Sequence, residues 1–121
     1  MSKILIIEDS KITGPALMEV LKLKGVDCSW AKDGATGLET AKREKPSLVL
    51  LDLLLPRVSG FDVCKKLKTD ETTWRIPVVV MSTLTDAESK EKATAAGADY
   101  FIEKPYNLSA VVDQVLKLLP K

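Results

Sequence analysis

Glu8, Asp9, Asp52, Ser82 and Lys104 are the residues of this chain whose types and placement could do chemistry together. Glu8 and Asp9 follow the apolar run Ile4-Leu5-Ile6-Ile7. Asp52 follows Leu48-Val49-Leu50-Leu51, and Ser82 follows Val78-Val79-Val80-Met81. Lys104 follows a third kind of stretch, around Tyr100-Phe101-Ile102. If these runs are neighbouring parallel strands, three acids, a hydroxyl and an amine meet at one edge of a sheet. Two unit charges ~4 Å apart repel by about 4 kcal/mol at an effective dielectric of ~20. Gathered carboxylates therefore call for a cation, and a hard divalent ion with oxygen ligands suits them. Magnesium takes one or two protein carboxylates and keeps waters and phosphate oxygens, as an open edge site allows.

Within that set Asp52 is the nucleophile candidate, since a carboxylate can attack phosphorus and form an acyl phosphate. Phosphoryl transfer asks the protein mainly for positioning and charge neutralisation. A cation would cover one side of the transferring group, the Lys104 ammonium another, and the Ser82 hydroxyl would donate to a further oxygen. Taken singly, Lys104 reads as a surface lysine, Ser82 as a loop serine and Glu8-Asp9 as a solvated pair. Their joint arrival at successive strand ends is what gives them meaning.

The elements that must place these residues follow from periodicity. Short apolar runs predict strands near residues 3–7, 27–30, 48–51, 77–81 and 99–102, apolar on both faces as buried parallel strands are. Helical spacing marks the faces Leu17/Val20/Leu21, Leu38/Ala41, Val63/Cys64/Leu67, a weaker Ala87/Ala93/Ala96, and Val111/Val112/Val115/Leu116/Leu119. Gly25 and Gly97 stop the first and fourth helices, and Pro46 follows the second. Asn107 and Asp86 are expected caps, the latter with Ser89 behind it. Gly14-Pro15 is an awkward pair, tolerable only if the first helix starts near Thr13. Five strand–helix alternations predict an α/β fold with a parallel sheet, and a site beyond the carboxyl ends of its strands.

Composition narrows the function. With 121 residues the chain is one domain with one core. A net charge of +1 gives no electrostatic reason for binding nucleic acid, and no apolar stretch is long enough to span a membrane. The opening Met-Ser-Lys runs straight into a strand pattern, which leads us to expect no signal peptide and a cytoplasmic location. Cys28 and Cys64 sit in apolar contexts without metal-ligand spacing and read as buried thiols. The chain has no histidine, which removes histidine nucleophiles and shuttles. Trp74 is expected to pack over a sheet edge, and Trp30 to be structural.

The segments Glu8-Asp9, Asp52-Leu-Leu-Leu-Pro56-Arg-Val-Ser-Gly60, Pro77-Val-Val-Val-Met-Ser82 and Lys104-Pro105 resemble, in order and spacing, a response-regulator receiver domain. This is the CheY-like phosphoacceptor module of two-component signalling, and the resemblance spans residues 1–121. It implies a doubly wound, five-stranded, flavodoxin-like sheet of order 2-1-3-4-5. It also implies that Asp52 accepts a phosphoryl group from a histidine kinase or a histidine phosphotransfer protein. Asp9, Asp52 and the Leu54 backbone carbonyl would ligate Mg2+, with Glu8 acting mainly through water. Ser82 and Lys104 would contact the phosphoryl group, Phe101 would change rotamer on activation, and the Lys104–Pro105 bond would be cis. The output surface would be the fourth helix, fifth strand and fifth helix, presented to a partner or an attached output domain; phosphorylation-dependent dimerisation is compatible with it.

Some residues depart from the commoner family pattern. Leu55 replaces methionine at little cost in volume. Ser82 keeps the hydroxyl of threonine without its methyl, and Thr83 adds bulk at the mouth. Leu54 and Leu84 are apolar at the two positions flanking the path of hydrolytic water, so slow self-dephosphorylation is expected. The alternative reading is a pseudo-receiver that binds a partner without phosphorylation. A third is an enzyme of the same fold class. Leu54 argues against an aspartate-nucleophile phosphatase, which would carry an acid there, and Glu8-Asp9 would repel the phosphate of a flavin. No turnover of an external substrate is expected.

Overall fold

The computed structural model describes residues 3–104 and 107–119. The expected cis bond at Pro105 lies outside them. Five strands and five helices alternate: β1 (Lys3–Ile7), α1 (Thr13–Leu23), β2 (Asp27–Ala31), α2 (Gly34–Glu44), β3 (Leu48–Asp52), α3 (Gly60–Thr69), β4 (Val78–Ser82), α4 (Ala87–Ala95), β5 (Tyr100–Glu103) and α5 (Leu108–Leu118). All four strand pairings are parallel, and the order is β2-β1-β3-β4-β5, as expected.

Strand periodicity divides the core. Ile4, Ile6, Leu48, Leu50, Val79 and Met81 face α1 and α5, where Leu17, Leu21, Val111, Val112 and Val115 meet them. Leu5, Ile7, Val49, Leu51, Val78 and Val80 face the other way, toward Ala41 of α2, Val63, Cys64 and Leu67 of α3 and Ala93 of α4. Because side chains alternate along a strand, Asp52 continues the face of Leu48 and Leu50, and Glu8 that of Ile4 and Ile6. Ser82 continues the opposite face, that of Val78 and Val80.

Local chemistry sets the helix ends. Asp33, Ser59, Asp86 and Asn107 each accept a hydrogen bond from a backbone N–H in the first turn of α2, α3, α4 and α5. The Ser10 hydroxyl accepts from the N–H groups of Ile12 and Thr13, so α1 begins at Thr13 with Pro15 inside its first turn. Gly25 (φ +80°) and Gly97 (φ +97°) end α1 and α4 in a conformation that costs other residues a Cβ clash.

Two expectations need correction. On α4 only Ala93 is buried; Ala87 is exposed, and Ala96 lies half-buried just past the helix end. Its methyl-sized side chains cannot build a wide apolar stripe. Trp74 is not among the side chains packed against either half of the core. It is 48% exposed in the loop before β4, with the Arg75 guanidinium 4.9 Å from its ring. Cys28 and Cys64 are buried free thiols, and burial pushes Cys64 up to about 11. Among the described residues no helix is long and apolar enough to cross a membrane.

Candidate functional site

Four of the polar residues that end the strands, Glu8, Asp9, Asp52 and Lys104, converge. Carboxylate oxygens of Glu8, Asp9 and Asp52 all lie within 4.8 Å of one another. Glu8 and Asp52 are buried, at 2% and 4% exposure, and Asp9 is exposed at the rim. The Lys104 ammonium enters from the end of β5, 3.0 Å from Asp52 Oδ2 and 3.3 Å from both oxygens of Glu8. Its backbone N–H donates to the Ser82 carbonyl at 2.8 Å, which anchors the lysine to the end of β4.

Asp52 is held from its own loop as well. Its Oδ1 accepts from the Leu54 N–H at 3.0 Å, while the Leu54 side chain stands 51% exposed at the mouth. The loop can turn so tightly because Gly60, at the start of α3, lies directly on the Asp52–Leu53 backbone. A Cβ there would fall 2.4 Å from Leu53 Cα and 2.5 Å from the Asp52 carbonyl oxygen. Gly60 donates its N–H to the Leu53 carbonyl at 3.0 Å, closing the loop.

Charge is unevenly distributed here. Burial first, and then the adjoining Asp52 carboxylate, push Glu8 up to about 7 from its ordinary 4.5, against the pull of Lys104. Burial disfavours the Lys104 ammonium, but hydrogen bonds and charge from Asp52 and Glu8 outweigh it and leave its pKa raised. Two buried acids thus share the Lys104 ammonium, with the Asp9 carboxylate close beside them. A buried carboxylate that one lysine cannot hold ionised at its ordinary pH, beside two further oxygen donors, fits a hard divalent cation.

Ser82 is fully buried at the end of β4, and its Oγ accepts from the Leu84 N–H at 2.9 Å. Its hydroxyl therefore belongs to the β4–α4 loop, and Thr83 beside it is exposed. Phe101 stands apart from the acids. It is half-buried against the α3/α4 side of the core, with the Lys90 ammonium 5.8 Å from its ring centre and Lys90 also paired to Glu103. Trp30 packs against the core as the structural residue expected, and its indole N–H also donates to the Glu8 carbonyl at 2.7 Å, a bond the sequence did not reveal. The awkward Gly14 was the available signal, since a Cβ there would strike the Trp30 ring.

A parallel sheet of order β2-β1-β3-β4-β5 carrying an acid cluster and a lysine at its carboxyl edge defines a CheY-like α/β receiver fold. Residues 4–116 match the family model of the response regulator receiver domain, and the chain belongs to that family. It is 36% identical over 119 residues to the DNA-binding dual master transcriptional regulator RpaA of Synechocystis, covering 98% of this chain and 49% of that protein. It is likewise 36% identical over 104 residues to the response regulator PleD of Caulobacter vibrioides, covering 86% of this chain and 23% of PleD. The chain thus spans half or less of the length of these relatives. Among solved structures, chemotaxis protein CheY4 of Vibrio cholerae shares the fold with a TM-score of 0.92 at 24% identity, covering 98% and 99% of the two chains. A BeF3-activated DrrB receiver domain gives 0.86 at 30% identity, covering 97% and 96%.

Proposed function

We propose that this receiver domain is a phosphorylation-controlled switch, with Asp52 as phosphoacceptor and its chemistry confined to its own modification. The observation that carries this reading is the contact of Lys104 with Asp52 at 3.0 Å inside a cluster of three carboxylates. A histidine kinase or phosphotransfer protein would be the donor. Glu8, Asp9, Asp52 and the Leu54 carbonyl would hold Mg2+, which when bound neutralises charge on the acids and the phosphoryl oxygens.

The chain's own residues do the rest. Asp52 Oδ2, now paired with Lys104, is the oxygen placed to meet a phosphorus. Lys104 moves its hydrogen bond from the carboxylate to a phosphoryl oxygen, and Ser82 exchanges its bond to Leu84 for another. The new group adds about −1.5 to −2 charges at this edge. The β4–α4 loop then closes toward it, and Phe101 turns into the space vacated. The readout is the α4/β5/α5 surface, offered to a partner protein or an output domain. Shifting such a two-state switch from 1:99 to 99:1 takes about 5.5 kcal/mol, within reach of a few charge-assisted hydrogen bonds of about 1.5–3 kcal/mol each.

The test is direct. Incubated with acetyl phosphate and Mg2+, the protein should gain one phosphoryl group, mapped by mass spectrometry to Asp52 and absent from Asp52→Asn. Label on another side chain, or none on folded wild-type protein, overturns the reading. The apolar pair Leu54 and Leu84 should make the phosphoryl group long-lived. A Leu54→Asn, Leu84→Glu variant is expected to lose it faster, and a slower loss contradicts that expectation.

A further inference from the structure

Glu8 is tied to β2 through both of its peptide groups. Its N–H donates to the Ala31 carbonyl at 3.0 Å, and its carbonyl accepts from the Trp30 indole at 2.7 Å. The second bond is the unusual one, a side chain taking the place that the next rung of the ladder would fill. The Glu8 carbonyl belongs to the planar peptide unit that joins Glu8 to Asp9. Fixing that oxygen fixes the plane, and with it the directions in which two successive carboxylates leave the chain. Their mutual repulsion, and that of Asp52, would otherwise turn this peptide outward.

The ring that makes the bond is itself held. It packs against the α1/α5 side of the core. A Cβ on Gly14 would lie 2.4 Å from both Cε2 and Nε1 of the indole, so the start of α1 leaves room for this ring and nothing more. An indole nitrogen donates one hydrogen bond and accepts none, and the main chain between the two acids is its partner.

We propose that Trp30 is a positioning residue for the acid pair: its indole N–H sets the Glu8–Asp9 peptide so that both carboxylates stand ready for a divalent cation. This rests on the reading of those acids as a cation site. Replacing the bond by solvent lets the peptide rotate, and the cation must then reorder it on binding.

The experiment is calorimetric titration of Mg2+ into three proteins: wild type, Trp30→Phe, and a form carrying 3-benzothienylalanine at position 30. The last has nearly the shape of tryptophan but a sulfur where the N–H stood. Both altered proteins should bind Mg2+ about fivefold more weakly, the equivalent of one net hydrogen bond. The benzothienyl form keeps the packing of the ring, so a purely packing role predicts wild-type ion binding in it, and only the positioning role weakens that binding. A further signature is optical. In Trp74→Phe protein Trp30 is the remaining tryptophan, and its emission should shift as Mg2+ saturates the site. Wild-type affinity in the benzothienyl form, or Trp30 emission indifferent to bound Mg2+, overturns the inference alone. A wild type that takes up no Mg2+ overturns the cation site and this inference with it.

Discussion

At the amino edge of the sheet, Asp99 accepts from the Val78 N–H at 2.8 Å and from the Lys68 ammonium at 3.0 Å, and Lys68 also reaches the Ile76 carbonyl. On the other side of the sheet, Glu44 meets Lys3 at 2.8 Å and the Ser29 hydroxyl at 2.8 Å. Asp99 has one base and Glu44 two, Lys3 and, at 3.5 Å, Arg43, and each acid also has a neutral donor. At the carboxyl edge Glu8 and Asp52 share Lys104, and Asp9 adds a third carboxylate beside them. The same strands thus end in matched pairs on one side and in an excess of negative charge on the other. Matched pairs serve stability. The unmatched cluster is a standing cost, as expected of a site kept for function rather than stability.

Substitutions of equal size at the two edges should separate these roles, and glycine offers the largest contrast. Gly60→Ala at the carboxyl edge drives a methyl into the backbone of Leu53 and Asp52, which has no flexible end to yield. A loss of about 3 kcal/mol or more is expected, with the loop after β3 displaced. Gly25→Ala at the other edge meets no atom within 4 Å and suffers only its φ of +80°, for about 1 kcal/mol. Urea unfolding of both variants measures the gap; equal losses would mean the loop after β3 can relax.

The lysines come next. Lys104→Met leaves Glu8 and Asp52 buried and facing each other without a cation, at about 2–3 kcal/mol in EDTA. Lys68→Met leaves Asp99 with its Val78 N–H and 38% of its side chain in water, so about 1 kcal/mol is expected. Only the first should recover stability when Mg2+ is added, because only that edge has oxygen donors to spare. A reversed order of losses would break the comparison.

Glu8→Gln should have the opposite sign. At pH 8 without divalent ions, removing the charge of a carboxylate buried beside Asp52 should raise stability by about 1–2 kcal/mol, while weakening Mg2+ binding. A destabilised Glu8→Gln protein in EDTA would show that Lys104 alone satisfies the cluster.

Much of this was legible in the sequence because each strand is a short apolar run ended by a polar residue. A parallel sheet gathers such ends by topology, so Glu8, Asp9, Asp52, Ser82 and Lys104 could be placed together without knowing a distance. Two caps, Asp86 and Asn107, were legible because each acts within its own first turn, while Asp33 and Ser59 do the same and were not read. What escaped is what depends on contacts between distant segments. Trp30 bonds a main-chain carbonyl 22 residues away, and a carbonyl leaves no mark in the residue types. The exposure of Trp74 turns on how the loop before β4 leaves the sheet, which its composition does not encode. The single buried alanine of α4 reflects a short helix with little apolar surface, although its sequence spacing suggested three.

The smallest effect belongs to the amino edge. Glu44 is held below the ordinary glutamate value of 4.5, first by its bond to Lys3, which outweighs the opposing burial, with Ser29 and Arg43 adding to it. A depressed acid stabilises the folded chain at pH values above its unfolded pKa, and the gain is lost as pH falls through its folded pKa. Comparing wild type with Glu44→Gln, the stability advantage of the wild type should be present at pH 7, begin to shrink below 4.5 and vanish on further acidification. Since the pair is partly solvated, the advantage should be well under 1 kcal/mol and should fall with added salt. Titration at the carboxyl edge should run the other way, because neutralising an acid there relieves repulsion. An advantage of Glu44 that persisted in acid would mean that its packing against Ser29 and β2, with no contribution from the pairing of charges, stabilises this edge.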